Sequence, residues 1–199
     1  MQRRDLLAGL SVSVLGGQIF QPVAASDLPA NTDAAVVQQL KRGGCAVLLR
    51  HAQTEPGVGD PPGFTLEVCS SQRNLNGVGQ QQALIIGAWF SQRGLQPSAI
   101  RSSAWCRCLD TARLAFGNRP ATLWPALNSF FGDGRAQEPA QTAALRTALA
   151  QLPEGSFEIW VTHQVNITAL TGEVPGMGEA RIARLQAQGK IQPLPLRFV

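Results

Sequence analysis

Charged residues, lysines and long apolar runs are all scarce in this chain of 199 residues. Only 15% of the residues are charged and 44% are hydrophobic, a composition that excludes a disordered protein. No apolar run reaches the roughly 20 residues that a membrane-spanning helix requires, so no stable membrane insertion is expected. The length predicts one domain, with enough chain to bury a proper core.

The basic residues indicate what kind of partner to expect. Among 17 lysines and arginines, only Lys41 and Lys190 are lysine. The chain therefore lacks the lysine-rich helix face that is typical of binding to nucleic acid or to a membrane surface. The other basic residues are scattered arginines, whose planar guanidinium groups suit phosphate and carboxylate. We expect a small phosphorylated substrate as the partner, and no nucleic acid.

The first 25 residues have the features of an export signal. Arg3 and Arg4 precede a modest apolar stretch over residues 6–20, and small residues end the segment at Ala25. Signal peptidase accepts small residues there, which predicts cleavage near Ala25 and a periplasmic or secreted mature chain. The arginine pair is typical of the twin-arginine route. Gln2 and Leu6 depart from that pattern, so the general secretory route stays open.

Apolar runs and helix signals alternate along the rest of the chain. Strands are predicted over residues 45–50, 98–102, 121–124 and 157–162, and helices over 34–42, 76–93, 105–116 and 139–152. A hairpin is predicted over 180–186 and 190–198, where Pro193 and Pro195 confine the last strand to a sheet edge. This pattern predicts an α/β fold, with a mainly parallel sheet, helices on both faces and a C-terminal β-hairpin.

Both histidines and two arginines lie at one edge of the predicted sheet. Arg50 and His51 end the first strand, and His163 follows the fourth. Arg107 lies on the opening turn of the helix after the second strand. Ligands of parallel sheets bind beyond the carboxyl ends of the strands. A lone histidine is more often structural, but the four residues together predict a site.

These residue types suit phosphoryl transfer. Arg50 and Arg107 can each offer a bidentate fork to phosphate oxygens, and the helix N-terminus near residues 105–107 adds free N–H groups. A neutral imidazole can attack phosphorus and form a phosphohistidine, while a second, protonated histidine stabilises transition-state charge. The cysteines and histidines lack metal-ligand spacing, so no metal and no other cofactor are expected.

Four segments resemble the motifs of the histidine phosphatase superfamily, which is also called phosphoglycerate-mutase-like. They are Leu49-Arg50-His51-Ala52, residues 73–79 (RNLNGVG), residues 102–112 (SSAWCRCLDTA) and residues 162–167 (THQVNI). The resemblance implies a histidine phosphatase domain over residues 26–199 with a phosphoglycerate-mutase-like fold. It implies that His51 is the nucleophile. It also implies that Arg50, Arg107 and His163 complete the phosphate pocket, while Arg73 organises the entrance.

The chain departs from that family at the proton donor. Mutase-like members have a glutamate shortly after the third strand, where Ser129 is the nearest residue here. Asp133 and Glu138 are the candidates that could reach in from this loop. The small protein-histidine phosphatases also lack the acid, but they are cytoplasmic. The motifs resemble exported bacterial members more closely, including a phosphatase of lipopolysaccharide-core heptose phosphate, which favours an envelope sugar phosphate as substrate.

The four cysteines and the missing glutamate leave other hypotheses open. If one disulfide forms, the pair Cys69 and Cys106 is favoured, because it ties the long Gly- and Pro-rich loop over residues 51–71 to the start of a helix. Cys106 and Cys108 permit instead a thiol–disulfide protein. The missing acid permits a non-catalytic binder of phosphorylated ligands. Turnover that depends on His51 and not on the cysteines would favour the phosphatase.

Overall fold

The computed structural model describes residues 30–117 and 119–198, and the predicted export signal lies outside them. The helices in this part of the chain are α1 (Ala30–Arg42), α2 (Gly77–Gln92), α3 (Cys106–Phe116), α4 (Glu138–Ala150) and α5 (Gln164–Thr171). The strands are β1 (Cys45–Arg50), β2 (Ala99–Ser102), β3 (Thr122–Leu123), β4 (Phe157–Thr162), β5 (Ala180–Ala183) and β6 (Leu194–Leu196). None of the described helices is long and apolar enough to cross a membrane.

The six described strands form one sheet in the order β3-β2-β4-β1-β5-β6. The first four strands in that order are parallel, β5 pairs antiparallel with β1, and β6 pairs antiparallel with β5. β1 and β4 pair along their whole length, from Cys45 opposite Phe157 to Arg50 opposite Thr162. Both strands are buried on both faces, which explains their continuous apolar sequences. The mainly parallel α/β sheet that the alternation predicts is confirmed.

Alternate residues of β1 supply two cores on opposite faces of the sheet, because successive side chains of a strand point to opposite sides. Val47 and Leu49 belong to a core that α1, α2 and α3 cover, with Ile86 of α2 among its buried residues. Leu48 belongs to the other core, which α4 and α5 cover, with Leu145 of α4 wholly buried there. Helices therefore lie on both faces, and the loops after the strands meet at the carboxyl edge.

Two features of the second half differ from the sequence-based prediction. Helix α5 begins directly after His163, in a segment for which the sequence pattern predicts no helix. Its sequence, QVNITALT, is rich in β-branched residues that lower helix propensity, so packing against the sheet decides its structure. The C-terminal strands are shorter than predicted, and β6, which contains Pro195, lies at an edge of the sheet.

Gly87 lies where α2 meets α3 at close range. A Cβ atom added there would be 2.0 Å from the carbonyl oxygen of Ala115. We expect Gly87→Ala to lower the free energy of unfolding by about 1–3 kcal/mol, because the two helices must move apart. Urea denaturation measures this change.

The control is Gly77→Ala, at the first residue of the same helix, where an added Cβ has no heavy atom within 4 Å. We expect this variant to be as stable as the parent or slightly more stable, since alanine favours the helix. Equal stability of the two variants would contradict the close approach of α2 and α3.

Candidate active site

The strand register brings the two histidines together. Arg50 and Thr162 are opposite each other at the carboxyl ends of β1 and β4, so the residues that follow them, His51 and His163, leave the sheet side by side. Their ring centroids are 5.5 Å apart. Arg107 arrives from the first turn of α3, which follows the next parallel strand, β2. Three separate stretches of chain therefore meet at one edge.

A cavity of about 540 Å³ opens at this edge. All five phosphate-site residues that the sequence suggests line it, namely Arg50, His51, Arg73, Arg107 and His163. The rest of the wall is Gly57, Val58, Gly59, Asp60, Phe64, Trp105, Ser129, Phe131, Gln164 and Val165. The inner part is cationic and the mouth is largely apolar, with Phe131 80% exposed. Such a cavity has room for a phosphate and for an organic group beyond it.

His51 is neutral and has one free ring nitrogen. Its Nδ1 lies 2.9 Å from the carbonyl oxygen of Ala52, and a carbonyl only accepts, so Nδ1 carries the proton and donates it. The lone pair is therefore on Nε2. Burial, followed by the charges of Arg107 and Arg50, lowers the pKa of His51 to about 3, although the Ala52 hydrogen bond opposes this. The ring is thus an unprotonated nucleophile at neutral pH.

His163 is almost completely buried, and burial disfavours the charged form of its ring. Its Nε2 lies 2.8 Å from Oγ of Ser103 and 3.5 Å from Sγ of Cys108. Burial and then the charge of Arg107 hold the pKa of His163 well below its ordinary value. The ring is therefore neutral in the free protein, and the protonated ring expected from the sequence is one that faces a phosphate. An anion placed beside it would favour the protonated form.

The three arginines of the cavity share one pattern of hydrogen bonding. Each uses Nη1 for a protein oxygen: Arg50 donates to Pro175 at 2.9 Å, Arg73 to Val58 at 2.6 Å, and Arg107 to Asp60 at 2.8 Å. In each, the Nε atom is buried and has no hydrogen-bond partner among the described residues. Buried donors without acceptors are uncommon in folded proteins, and here three of them line one cavity.

The positive charge at this edge is crowded. Burial and then the charges of Arg73 and Arg107 lower the pKa of Arg50. Burial and the charge of Arg107 do the same to Arg73. An anion that accepts hydrogen bonds from the free Nε–H groups would satisfy these donors and relieve the repulsion at once. The geometry fits a phosphoryl group better than a neutral ligand.

Asp60 is the residue of this site that the sequence analysis missed. Its Oδ1 accepts hydrogen bonds from Nη1 of Arg107 at 2.8 Å and from the backbone N–H of Arg73 at 3.0 Å, and Oδ2 accepts from Nε1 of Trp105 at 3.3 Å. Burial raises the pKa of Asp60, but the hydrogen bonds from Arg107 and Arg73 outweigh it and bring the pKa below its ordinary value. The unusual length of the Gly- and Pro-rich loop was the one signal that could have pointed to it.

Neither of the two acids that the sequence suggests as proton donor is found among the described residues that line the cavity. Glu138 is the first residue of α4 and is not among the described residues that line the cavity. The side chain of Asp133 lies outside what the structure describes.

The backbone N–H groups at the start of α3, which the sequence analysis expects to be free, are partly occupied. The N–H of Cys106 donates to Gln72 at 2.9 Å, and that of Trp105 donates to Ser103 at 3.3 Å.

A disulfide joins Cys69 to Cys106 and ties the long loop to the residue before Arg107. Cys45 and Cys108 are free and buried, and burial raises their pKa values to about 11 and about 12. Since Cys106 is bonded to Cys69, it does not form a dithiol pair with Cys108.

Residues 30–117 and 119–198 contain no cluster of three or more histidine, cysteine or acidic side chains that could hold a metal ion.

Comparison with known proteins identifies the fold. No protein-family model matches the chain, and no curated protein matches it. Phosphoserine phosphatase from Entamoeba histolytica is similar in structure, with a TM-score of 0.56 and 17% identity over 77% of this chain and 95% of that chain. A mycobacterial glucosyl-3-phosphoglycerate phosphatase gives 0.56 and 16% over 77% and 97%. YhfR from Bacillus stearothermophilus gives 0.57 and 18% over 78% and 97%. The phosphoglycerate-mutase-like fold that the motifs predict is therefore confirmed.

The buried state of His51 predicts a pH-dependent stability. The unfolded chain binds a proton at this residue near its ordinary pKa of 6.5, whereas the folded protein binds it only near about 3. The free energy of unfolding should therefore fall as the pH drops from about 6.5 toward about 3. His51→Asn removes this titration, so its slope against pH should be shallower by up to about 1.4 kcal/mol per pH unit.

Urea denaturation of both proteins at several pH values between about 8.5 and about 4.5 measures the two slopes. Above about pH 7 the two curves should run parallel, because His51 is neutral in both states there. Parallel curves over the whole range would show that the folded protein binds a proton at His51 as readily as the unfolded chain.

Proposed function

We propose that this protein is a phosphomonoesterase that acts through a phosphohistidine on His51. The observation that carries the proposal is the meeting of a neutral imidazole, with its Nε2 lone pair free, and three buried Nε–H donors that have no acceptor in the described part of the chain. The first group is a nucleophile and the second a receptor for the oxygens of a phosphoryl group. Similarity of fold to the two phosphatases supports the same reaction class.

The reaction divides into two displacements. In the first, the lone pair on Nε2 of His51 forms a bond to phosphorus, the bond from phosphorus to the ester oxygen breaks, and that oxygen leaves with the electron pair and takes up a proton. In the second, water attacks phosphorus, loses a proton, and His51 departs with its electron pair. Arg50, Arg107 and the entrance residue Arg73 hold the phosphoryl oxygens throughout, so charge developing in the transition state meets donors that are already in place.

The proposed role of His163 in the reaction depends on the bound substrate. It is neutral in the free protein, and a dianionic phosphate beside it would favour proton uptake, after which the ring could stabilise the charge that grows on the equatorial oxygens. The proposed chemistry uses no metal ion, and turnover should therefore persist in a chelator.

The substrate is proposed to be a phosphorylated envelope sugar, met after export. The resemblance of the motifs to exported members and the signal-like first 25 residues support this, as does a cavity of about 540 Å³ with an apolar mouth. The similar structures include phosphatases of phosphoserine and of glucosyl-3-phosphoglycerate, both of which are small phosphomonoesters. A small organic ester is the size that fits here.

His51→Ala should abolish turnover of an aryl phosphate, with at least a 10³-fold loss expected because no second nucleophile is proposed for the reaction. Steady-state hydrolysis in the presence of a chelator measures it. Wild type quenched during turnover should carry an acid-labile phosphate on His51, and the variant should carry none. Binding of inorganic phosphate serves as the control for folding, since all three arginines remain in the variant.

Wild-type turnover that survives in His51→Ala would contradict the proposal. Tight phosphate binding with neither turnover nor adduct in the wild type would favour the alternative, a non-catalytic binder of phosphorylated ligands. A loss of activity in Cys108→Ser with full activity in His51→Ala would favour the thiol–disulfide hypothesis.

Export has a test of its own. Residues 1–25 fused to a reporter enzyme should carry it out of the cytoplasm, and the mature protein should begin at Ser26 by N-terminal sequencing. Replacing both Arg3 and Arg4 by lysine should stop transport by the twin-arginine route and leave the general secretory route working. A reporter retained in the cytoplasm with the unaltered segment would contradict export.

A further inference from the structure

The proposed reaction leaves one group unassigned, because the ester oxygen must receive a proton as it leaves. A carboxyl group that supplies it must face the same cavity as His51. Among the described residues that line the cavity, Asp60 is the only one with a carboxyl group. Glu138 is not part of this wall, and Asp60 is only 13% exposed.

The two oxygens of Asp60 are engaged unequally. Oδ1 accepts two hydrogen bonds of ordinary length, from Nη1 of Arg107 at 2.8 Å and from the N–H of Arg73 at 3.0 Å. Oδ2 has a single long contact of 3.3 Å, from Nε1 of Trp105. Oδ1 therefore anchors the carboxyl group, while Oδ2 keeps acceptor capacity that can hold a proton.

Substrate changes the electrostatics of this carboxyl group. In the free protein, Arg107 keeps Asp60 ionised. A phosphate dianion bound to the same guanidinium group places further negative charge beside Asp60. Two anions that share one cationic site do not both stay fully ionised, so binding of the substrate promotes uptake of one proton. The complex then holds a proton close to the scissile bond.

We propose that Asp60 is the proton donor to the leaving group, and this proposal rests on the proposed phosphohistidine reaction. As the bond from phosphorus to the ester oxygen breaks, that oxygen takes the proton from Oδ2 of Asp60, and the product leaves as a neutral alcohol. Asp60 is then a carboxylate. In the second displacement it accepts a proton from the attacking water, which restores the carboxyl group for as long as phosphate stays bound.

The test compares Asp60→Asn with wild type on phosphate esters whose leaving groups differ in basicity. An alkyl phosphate needs a proton on its leaving oxygen, whereas a nitrophenyl phosphate hardly does. We use kcat/KM because it reports the first displacement and not the hydrolysis of the phosphohistidine, which is the same for every ester. We expect kcat/KM for the alkyl ester to fall by about 10²-fold or more in the variant, and kcat/KM for the nitrophenyl ester to fall by less than about tenfold. Asparagine keeps an oxygen for Arg107 and Arg73, so the arginines stay in place.

A series of aryl phosphates sharpens the measurement. The dependence of log kcat/KM on the pKa of the leaving group should be steeper in Asp60→Asn than in wild type. Since this slope does not depend on the fraction of enzyme that is folded, a less stable variant still reports on the proton. The matched control is Glu55→Gln. Glu55 belongs to the same loop as Asp60, but its side chain is exposed and does not line the cavity. Both substrates should react within about twofold of wild type in it.

Equal losses of kcat/KM on both substrates with an unchanged slope would overturn the proposal and leave Asp60 as a residue that only positions Arg107. Full alkyl turnover in Asp60→Asn would overturn it as well, as would a selective loss of alkyl turnover in Asp133→Asn alone. Failure of the phosphatase proposal looks different, because wild type itself would then hydrolyse neither ester nor form an adduct on His51.

Discussion

The parallel pairing of β1 with β4 determines the geometry on which the rest of the site depends. Its register places Arg50 opposite Thr162, so that His51 and His163 start their loops at the same level and their rings come within 5.5 Å. Both strands are buried on both faces, and slipping the register by one residue would turn every one of their side chains to the wrong core. The distance between the histidines is therefore held by the hydrophobic core rather than by the site itself.

On this rigid edge, the long loop after β1 builds the anionic side of the cavity. It is fixed at three points: a β-bridge between Thr54 and Leu75, the carboxylate of Asp60, and the disulfide from Cys69 to Cys106. The last two contacts are made with the first turn of α3: Asp60 binds Arg107, and the disulfide ends at Cys106, the residue before it. An irregular, glycine-rich loop can thus position polar groups as firmly as a strand does, because its ends and its middle are all bonded to regular elements.

Much of this arrangement could be predicted from the sequence, because the strands and helices that form it have local sequence signals. The two central strands, β1 and β4, are short and mainly apolar runs. The helix α2 is preceded by Asn76, whose side chain accepts a hydrogen bond from the N–H of Gly79 at 2.9 Å. Once the strands are placed, the residues that follow them are placed too, which is why His51, His163 and Arg107 could be grouped in advance.

What could not be predicted depends on contacts between distant residues. Asp60 lies 13 residues from Arg73 and 47 from Arg107, and no periodic pattern indicates that an irregular loop will fold back onto both. Helix α5 was missed because its residues favour strand locally and packing decides otherwise. The neutral state of His163 in the free protein could not be predicted for a similar reason: the sequence places the ring near phosphate, but only the structure shows how little solvent reaches it.

The same burial explains how the free site and the occupied site differ. Without an anion, both histidines are neutral, three arginine Nε–H groups lack acceptors among the residues that the structure describes, and one carboxylate offsets only part of the positive charge. This state is costly, since buried donors without partners and neighbouring like charges both raise the free energy of the folded protein. A phosphoryl group removes both costs, so its binding draws on free energy stored when the chain folds. The same event brings Asp60 and His163 toward their protonated forms, and the site acquires the protons that the proposed reaction uses only when there is a phosphate ester to receive them.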